Sequence, residues 1–127
     1  MAGVVLDASA ILARVLDEPG REIVVAVIDG ASVSAVNLAE VAQRLIDLGG
    51  DDLGVTATIR ALSCEVVGFD QELALQAGLL RRATKAKGLS LGDRACLALG
   101  KRLGLPVYTA DRAWAELDLG VEVVLIR

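Results

Sequence analysis

The chain contains no histidine, which removes the side chain most often used as general base, metal ligand and catalytic-triad member. Serine-histidine hydrolysis is excluded. Cysteine is scarce: Cys64 and Cys96 are the only two, with neither metal-ligand spacing nor the density of a secreted disulfide scaffold. Free, buried thiols in a reducing cytoplasm are the expectation. One Phe, one Trp and one Tyr leave almost nothing with which to stack single-stranded bases. The net charge of -4 argues against a broad electrostatic attraction to nucleic acid, although acids gathered at one metal site would contribute to that total without spreading over the surface. No apolar run approaches the roughly 20 residues that cross a bilayer, and no basic segment precedes a cleavable apolar one. The sequence therefore predicts an unexported, cytoplasmic protein with no membrane partner. Gly-rich phosphate loops of the Rossmann or Walker kind are also missing.

What is present is core material. With 127 residues and 54% hydrophobic content, one domain spanning residues 1–127 is expected to bury a single well-covered core. The apolar run Gly3-Val4-Val5-Leu6 ends abruptly in Asp7-Ala8-Ser9, and reads as a strand buried on both faces that delivers an acid at its C-terminal end. Further strands are expected at 31–36, 65–69, 107–109 and 121–126. Helical stripes lie between them: Ile11, Leu12, Val15 and Leu16; Ile23, Val24, Val27 and Ile28; then Leu38, Val41, Ala42 and Leu45. Asp51-Asp52 opens another helix with an acidic first turn, a long helix follows Asp70, and one with Cys96, Leu99 and Leu103 on one stripe follows Gly92. Strands alternating with helices require crossover connections, so the predicted fold class is α/β: three layers, α/β/α, around a mostly parallel sheet of about five strands.

Ligands in such sheets bind outside the C-terminal strand ends. Asp7 and Asp111 are predicted just past strand ends, Glu40 and Asp93 in the first turns of helices, and all four belong to that one edge. Four carboxylates brought together repel and take up protons, so a divalent cation is the economical way to keep them ionised. Oxygen-only ligation points to magnesium or manganese. Two such ions about 4 Å apart would suit an in-line phosphoryl displacement. Ser9 and Thr109 are candidates to orient Asp7 and Asp111. Arg81, Arg82, Lys85 and Lys87 form a basic run before Asp93, and with Arg94 and Arg112 they are candidates to hold RNA phosphates. Each residue also has an ordinary structural role. Asn37-x-x-Glu40 and Ser90-x-x-Asp93 fit the capping-box pattern, Asp7 and Asp111 fit helix caps, and a basic run is commonly a solvated face.

At these residues the sequence resembles the PIN-domain nucleases, and among them the VapC toxins of VapBC toxin-antitoxin pairs. The resemblance runs nearly end to end and rests on Val5-Leu6-Asp7-Ala8-Ser9-Ala10, Ser34-Ala35-Val36-Asn37-Leu38-Ala39-Glu40-Val41, Gly88-Leu89-Ser90-Leu91-Gly92-Asp93 and Tyr108-Thr109-Ala110-Asp111-Arg112. It implies an acidic site of Asp7, Glu40, Asp93 and Asp111 that binds Mg2+ or Mn2+ and cleaves RNA. It also implies a homodimer, inhibition by a VapB-like antitoxin, and binding of promoter DNA only through that antitoxin. Asn37 departs from the Ser or Thr often found there and Gly92 from a common Ala, which puts the support around Glu40 in question but removes no ligand. Two other readings compete. One is a non-catalytic PIN-like binding or assembly module whose acids are only caps. The other is an aspartate-based phosphoryl-transfer domain, which fits less well because Asp7-Ala8-Ser9 lacks a second Asp and no Lys follows the final strand.

Overall fold

The structure is a computed structural model and describes residues 3–127. Five strands form one sheet in the order β3-β2-β1-β4-β5: β1 Val5–Leu6, β2 Ser32–Ser34, β3 Glu65–Val67, β4 Val107–Thr109 and β5 Val123–Leu125. Every pairing among the described residues is parallel, with Val5 opposite Ser32 on one side and Val107 on the other. Strands β2, β3 and β5 are shorter than the runs expected at 31–36, 65–69 and 121–126, whereas β4 spans the expected 107–109. Strand β1 stops at Leu6, where Asp7 caps the next helix, and β2 stops at Ser34, itself a helix cap.

The helices divide between the two faces. Helix α1 (Ala8–Leu16), α2 (Arg21–Val27) and α3 (Ala35–Asp47) bury Ile11, Val24 and Val41 against Leu6 and Val33. On the other face α5 (Gln71–Leu79) and α7 (Leu91–Leu103) bury Leu73, Leu97 and Leu99 with Val5, Val107 and Trp114. Adjacent Val5 and Leu6 thus serve opposite cores, as the two-residue period of a strand dictates. That arrangement is the expected three-layer α/β/α class. Helix α4 (Asp52–Arg60) pairs with α3 as a hairpin.

Three expectations are corrected. The long helix after Asp70 stops at Leu79 and gives way to a short α6 (Arg81–Thr84) and a 3-10 turn, Lys85–Lys87. At the end of α6 Thr84 Oγ1 donates to the Leu80 carbonyl at 2.8 Å and shares it with the Thr84 amide, a back-bond of the kind that bends helices. Helix α3 begins at Ala35 with Ser34 as its cap, so Glu40 lies in the second turn and Asn37 is not a cap. Helix α7 begins at Leu91 rather than Asp93.

Two features bring the edge of the sheet to a point. The order places β1 between β2 and β4, so chains leave β1 and β4 on different faces and open a crevice between their C-terminal ends. Helix α7 also approaches the sheet closely at Gly100, where a Cβ would stand 2.5 Å from Val107 Cγ1. Only a glycine lets that helix lie so near β4.

Candidate metal and nuclease site

Asp7 stands at the mouth of that crevice and is only 5% exposed. Its Oδ1 accepts hydrogen bonds from the Ala10 amide at 2.8 Å, capping α1, and from Ser9 Oγ at 2.7 Å. Its Oδ2 accepts from Thr109 Oγ1 at 2.6 Å. Burial pushes its pKa up from 3.8 to about 6, against the pull of Thr109, Ser9 and the Ala10 amide and with a further push from the charge of Asp93. The two hydroxyls tie the end of β1 to the start of the segment after β4. Ser9 Oγ accepts from the Ala110 amide at 2.9 Å, and Thr109 Oγ1 accepts from the Asp111 amide at 3.0 Å.

Glu40 reaches the same region from α3. Its Oε1 accepts a 2.8 Å hydrogen bond from Asn37 Nδ2, which also donates to the Gly92 carbonyl at 2.9 Å. Asp93 arrives on α7, where the expected capping box with Ser90 is formed: Asp93 Oδ2 accepts from the Ser90 amide at 2.9 Å, and Ser90 Oγ from the Asp93 amide at 3.2 Å. The charges of Asp7, Asp93 and Glu40 all bear on the buried Cys96 and, after burial itself, hold its thiol protonated well above the usual range. Asp111 is the outlying member. It is exposed, and its carboxylate accepts from the Ala113 amide at 3.0 Å, capping the 3-10 segment Arg112–Glu116.

The four acids therefore share one edge, but among the described residues no three His, Cys, Asp or Glu side chains are gathered into a ready-made metal cage. Three of the four are turned back onto backbone amides of their own helices, the arrangement that mutual repulsion favours. The donor chemistry nonetheless suits a hard divalent cation. All available ligands are carboxylate or amide oxygens, burial keeps both cysteine thiols protonated, and Asn37 Oδ1 is buried with no hydrogen-bond donor on the protein. Burial of Asp7 beside other acids is the cost that such an ion offsets.

The basic candidates separate into two kinds. Arg81, Arg82, Lys85 and Arg112 are exposed. Arg94 instead sends Nη1 into the Ala77 carbonyl at 3.0 Å, and its Nε is buried without a partner, so it clamps α7 to α5. Lys87 is paired with Glu116, tying the turn after α6 to the segment that follows Asp111. Sequence reasoning overlooked Arg44, one helical turn beyond Glu40. It lines with Glu40, Gln43 and Asp47 a cleft of about 180 Å³; the i, i+3, i+4, i+7 spacing of polar residues on α3 was the available signal.

Oxygen donors on the C-terminal edge of the central strands of a parallel α/β domain are a chemistry that could take a hard divalent cation. The PIN domain model matches residues 4–119, and the chain belongs to that family. Among solved structures it is similar to a toxin-antitoxin complex from Klebsiella pneumoniae (TM-score 0.79, 19% identity, covering 98% of each chain). It is also similar to DNA-bound VapBC from Salmonella typhimurium (TM-score 0.78, 19% identity, 100% of each chain). A third is VapC20 of Mycobacterium tuberculosis, a sarcin-ricin loop cleaving toxin (TM-score 0.75, 16% identity, 91% of this chain and 97% of that one). At these identities the likeness is one of fold. Nothing among the curated proteins matches the chain.

Proposed function

We propose that this chain is a metal-dependent endoribonuclease toxin, with Asp7, Glu40, Asp93 and Asp111 as the carboxylates that hold Mg2+ or Mn2+. The observation that carries the reading is Asp7: a buried carboxylate at the end of the central strand, with both oxygens fixed by hydroxyls and an amide and with Asp93 close enough to disfavour its ionisation. When bound, the cation would lower the pKa of an attacking water and offset the charge of the phosphodiester in an in-line displacement. Asp7 would present a ligand oxygen whose direction Ser9 and Thr109 set. Glu40 and Asp93 would approach from α3 and α7, on the two sides of Asp7, and Asp111 would close the open side. Arg81, Arg82, Lys85 and Arg112 would steer and grip phosphates flanking the cut; Arg94 leaves this set because its guanidinium is committed to Ala77.

The partners follow from the similar structures, which are a toxin-antitoxin complex and a DNA-bound VapBC. A VapB-like antitoxin would cover the acid edge, the chain would act as a homodimer in the cytoplasm, and the pair would reach promoter DNA through the antitoxin. The test uses purified, antitoxin-free protein with structured and unstructured RNAs and manganese. Cleavage is expected, and it should be lost with a chelator or in Asp7→Asn; persistence in either would end the metal mechanism. Expression of the chain alone should arrest bacterial growth while Asp93→Ala should not.

A second reading, a non-catalytic PIN module, is favoured by the capping bonds of Asp7, Asp93 and Asp111. A manganese titration separates the two, because caps alone bind no ion.

A further inference from the structure

Glu40 is the one acid of the four that caps no helix, and its position is set by two residues that meet it from different elements. Asn37 is 1% exposed. Its two amide hydrogens are both spent, one on Glu40 Oε1 and one on the Gly92 carbonyl. The orientation of this amide is decided by chemistry, because the flipped form would put Oδ1 against two acceptors. Gly92 completes the seat. A Cβ built there would overlap Glu40 Oε1, Oε2 and Cδ, all inside 3.0 Å. The carboxylate thus lies over the bare Cα of a buried helical glycine on α7, and is pinned by an amide that bridges α3 to the same residue.

On the reading of Glu40 as a cation ligand, we infer that Asn37 and Gly92 act as a matched pair of positioning residues, which together fix the Glu40 carboxylate over the start of α7 and so set the cation affinity of the edge. The two positions are coupled through one carboxylate. Without the amide, Glu40 regains its side-chain freedom. With a methyl at 92, it must swing off its seat. Because the overlapping atoms are the far end of a flexible side chain, the swing disturbs the fold little and the carboxylate position a great deal.

The experiment is a titration of the full-length, chelator-stripped protein with Mn2+ alone, followed by calorimetry or by the electron paramagnetic resonance of the free ion. Asn37→Leu keeps the side-chain size and removes the donors; Gly92→Ala adds only the methyl. Each is expected to weaken Mn2+ binding by about tenfold or more, the usual effect of losing a group that orients a ligand. Gly92→Ala is also expected to melt, in chelator, close to the parent temperature, since the helix propensity gained by alanine and the Asn37–Glu40 hydrogen bond lost are of similar size and opposite sign. In a Glu40→Ala background both substitutions should change Mn2+ affinity by less than about twofold, since each acts through the missing carboxylate. If Glu40→Ala weakens binding while Asn37→Leu and Gly92→Ala do not, the positioning role is overturned and the site stands. If the two weaken binding equally in the Glu40→Ala background, they act elsewhere and the inference also fails. If Glu40→Ala itself leaves Mn2+ binding unchanged, Glu40 is no ligand, and the functional reading of that residue falls with the pair.

Discussion

Thr109 Oγ1 donates to Asp7 Oδ2 at 2.6 Å across 102 positions of sequence, and the same oxygen accepts the amide of Asp111 at 3.0 Å. One hydroxyl thereby joins the end of β1, the end of β4 and the segment carrying a second acid, Asp111. It fixes where the buried carboxylate points and partly offsets the cost of burying it.

Removing that hydroxyl alone tests the link. Thr109→Val keeps the shape of the side chain but leaves Asp7 with one donor fewer. The expected result is a loss of about 1–3 kcal/mol in urea unfolding with chelator present, the usual penalty for depriving a buried polar group of its partner. Mn2+ affinity should fall by about 10- to 100-fold in the same protein.

Asp7 itself makes the metal-free protein sensitive to pH. Its folded pKa of about 6 lies above the unfolded 3.8, so between these values the unfolded chain releases a proton that the folded chain keeps. This contribution to stability is complete below about pH 4, declines as pH rises to about 6, and is flat above. The difference corresponds to about 3 kcal/mol. Asp7→Asn should lack this decline, so that in chelator it is the more stable protein at pH 7.5 and the less advantaged one at pH 4. Urea unfolding of both proteins across that range measures it, and a parallel pH dependence in the two would refute the assignment.

The exposed cations should act on RNA through charge. Replacing Arg81, Arg82 and Lys85 together by Ala is expected to weaken binding to an uncleavable RNA similarly for all sequences. It should reduce the slope of log affinity against log salt by up to about 2, at roughly 0.7 for each phosphate contact with a single strand. Arg94→Met should leave that slope unchanged and lower the melting temperature instead, because it removes the bond to Ala77.

Gly100 governs how closely α7 lies against the sheet. In Gly100→Ala the new Cβ meets Val107 Cγ1 at 2.5 Å and Val121 Cγ1 at 3.3 Å, and the expected overpacking cost is about 1–3 kcal/mol. Helix propensity alone predicts the opposite sign, a gain of about 1 kcal/mol. Urea midpoints decide between them.

Much of the edge was legible in the chain. Asp7 announces itself as a carboxylate ending an apolar run, and Ser90-x-x-Asp93 forms the capping box its spacing describes. The identical spacing misleads at Asn37-x-x-Glu40, because a three-residue interval places two side chains on one helix face wherever the helix begins. Here it begins at Ala35 with Ser34 as the cap, so the pair is an internal bond, and Asn37 turns to Gly92 rather than to its own helix start. Arg94 shows the other limit. Its place next to Asp93 suggests a phosphate contact, whereas the packing of α7 on α5 turns it inward to Ala77.

The sequence by itself determined the alternation of strand and helix, hence a parallel sheet, and the absence of histidine left its C-terminal edge without imidazole donors. These are consequences of local periodicity and residue chemistry, which need no knowledge of distant neighbours. Only the tertiary structure decided that Asp7 is held by Thr109, that Glu40 rests on Gly92, and that Asp111 stands outermost. Those contacts depend on how closely β1, β4, α3 and α7 pack, and hydrogen bonds and steric overlap change over fractions of an ångström that spacing along a chain does not encode.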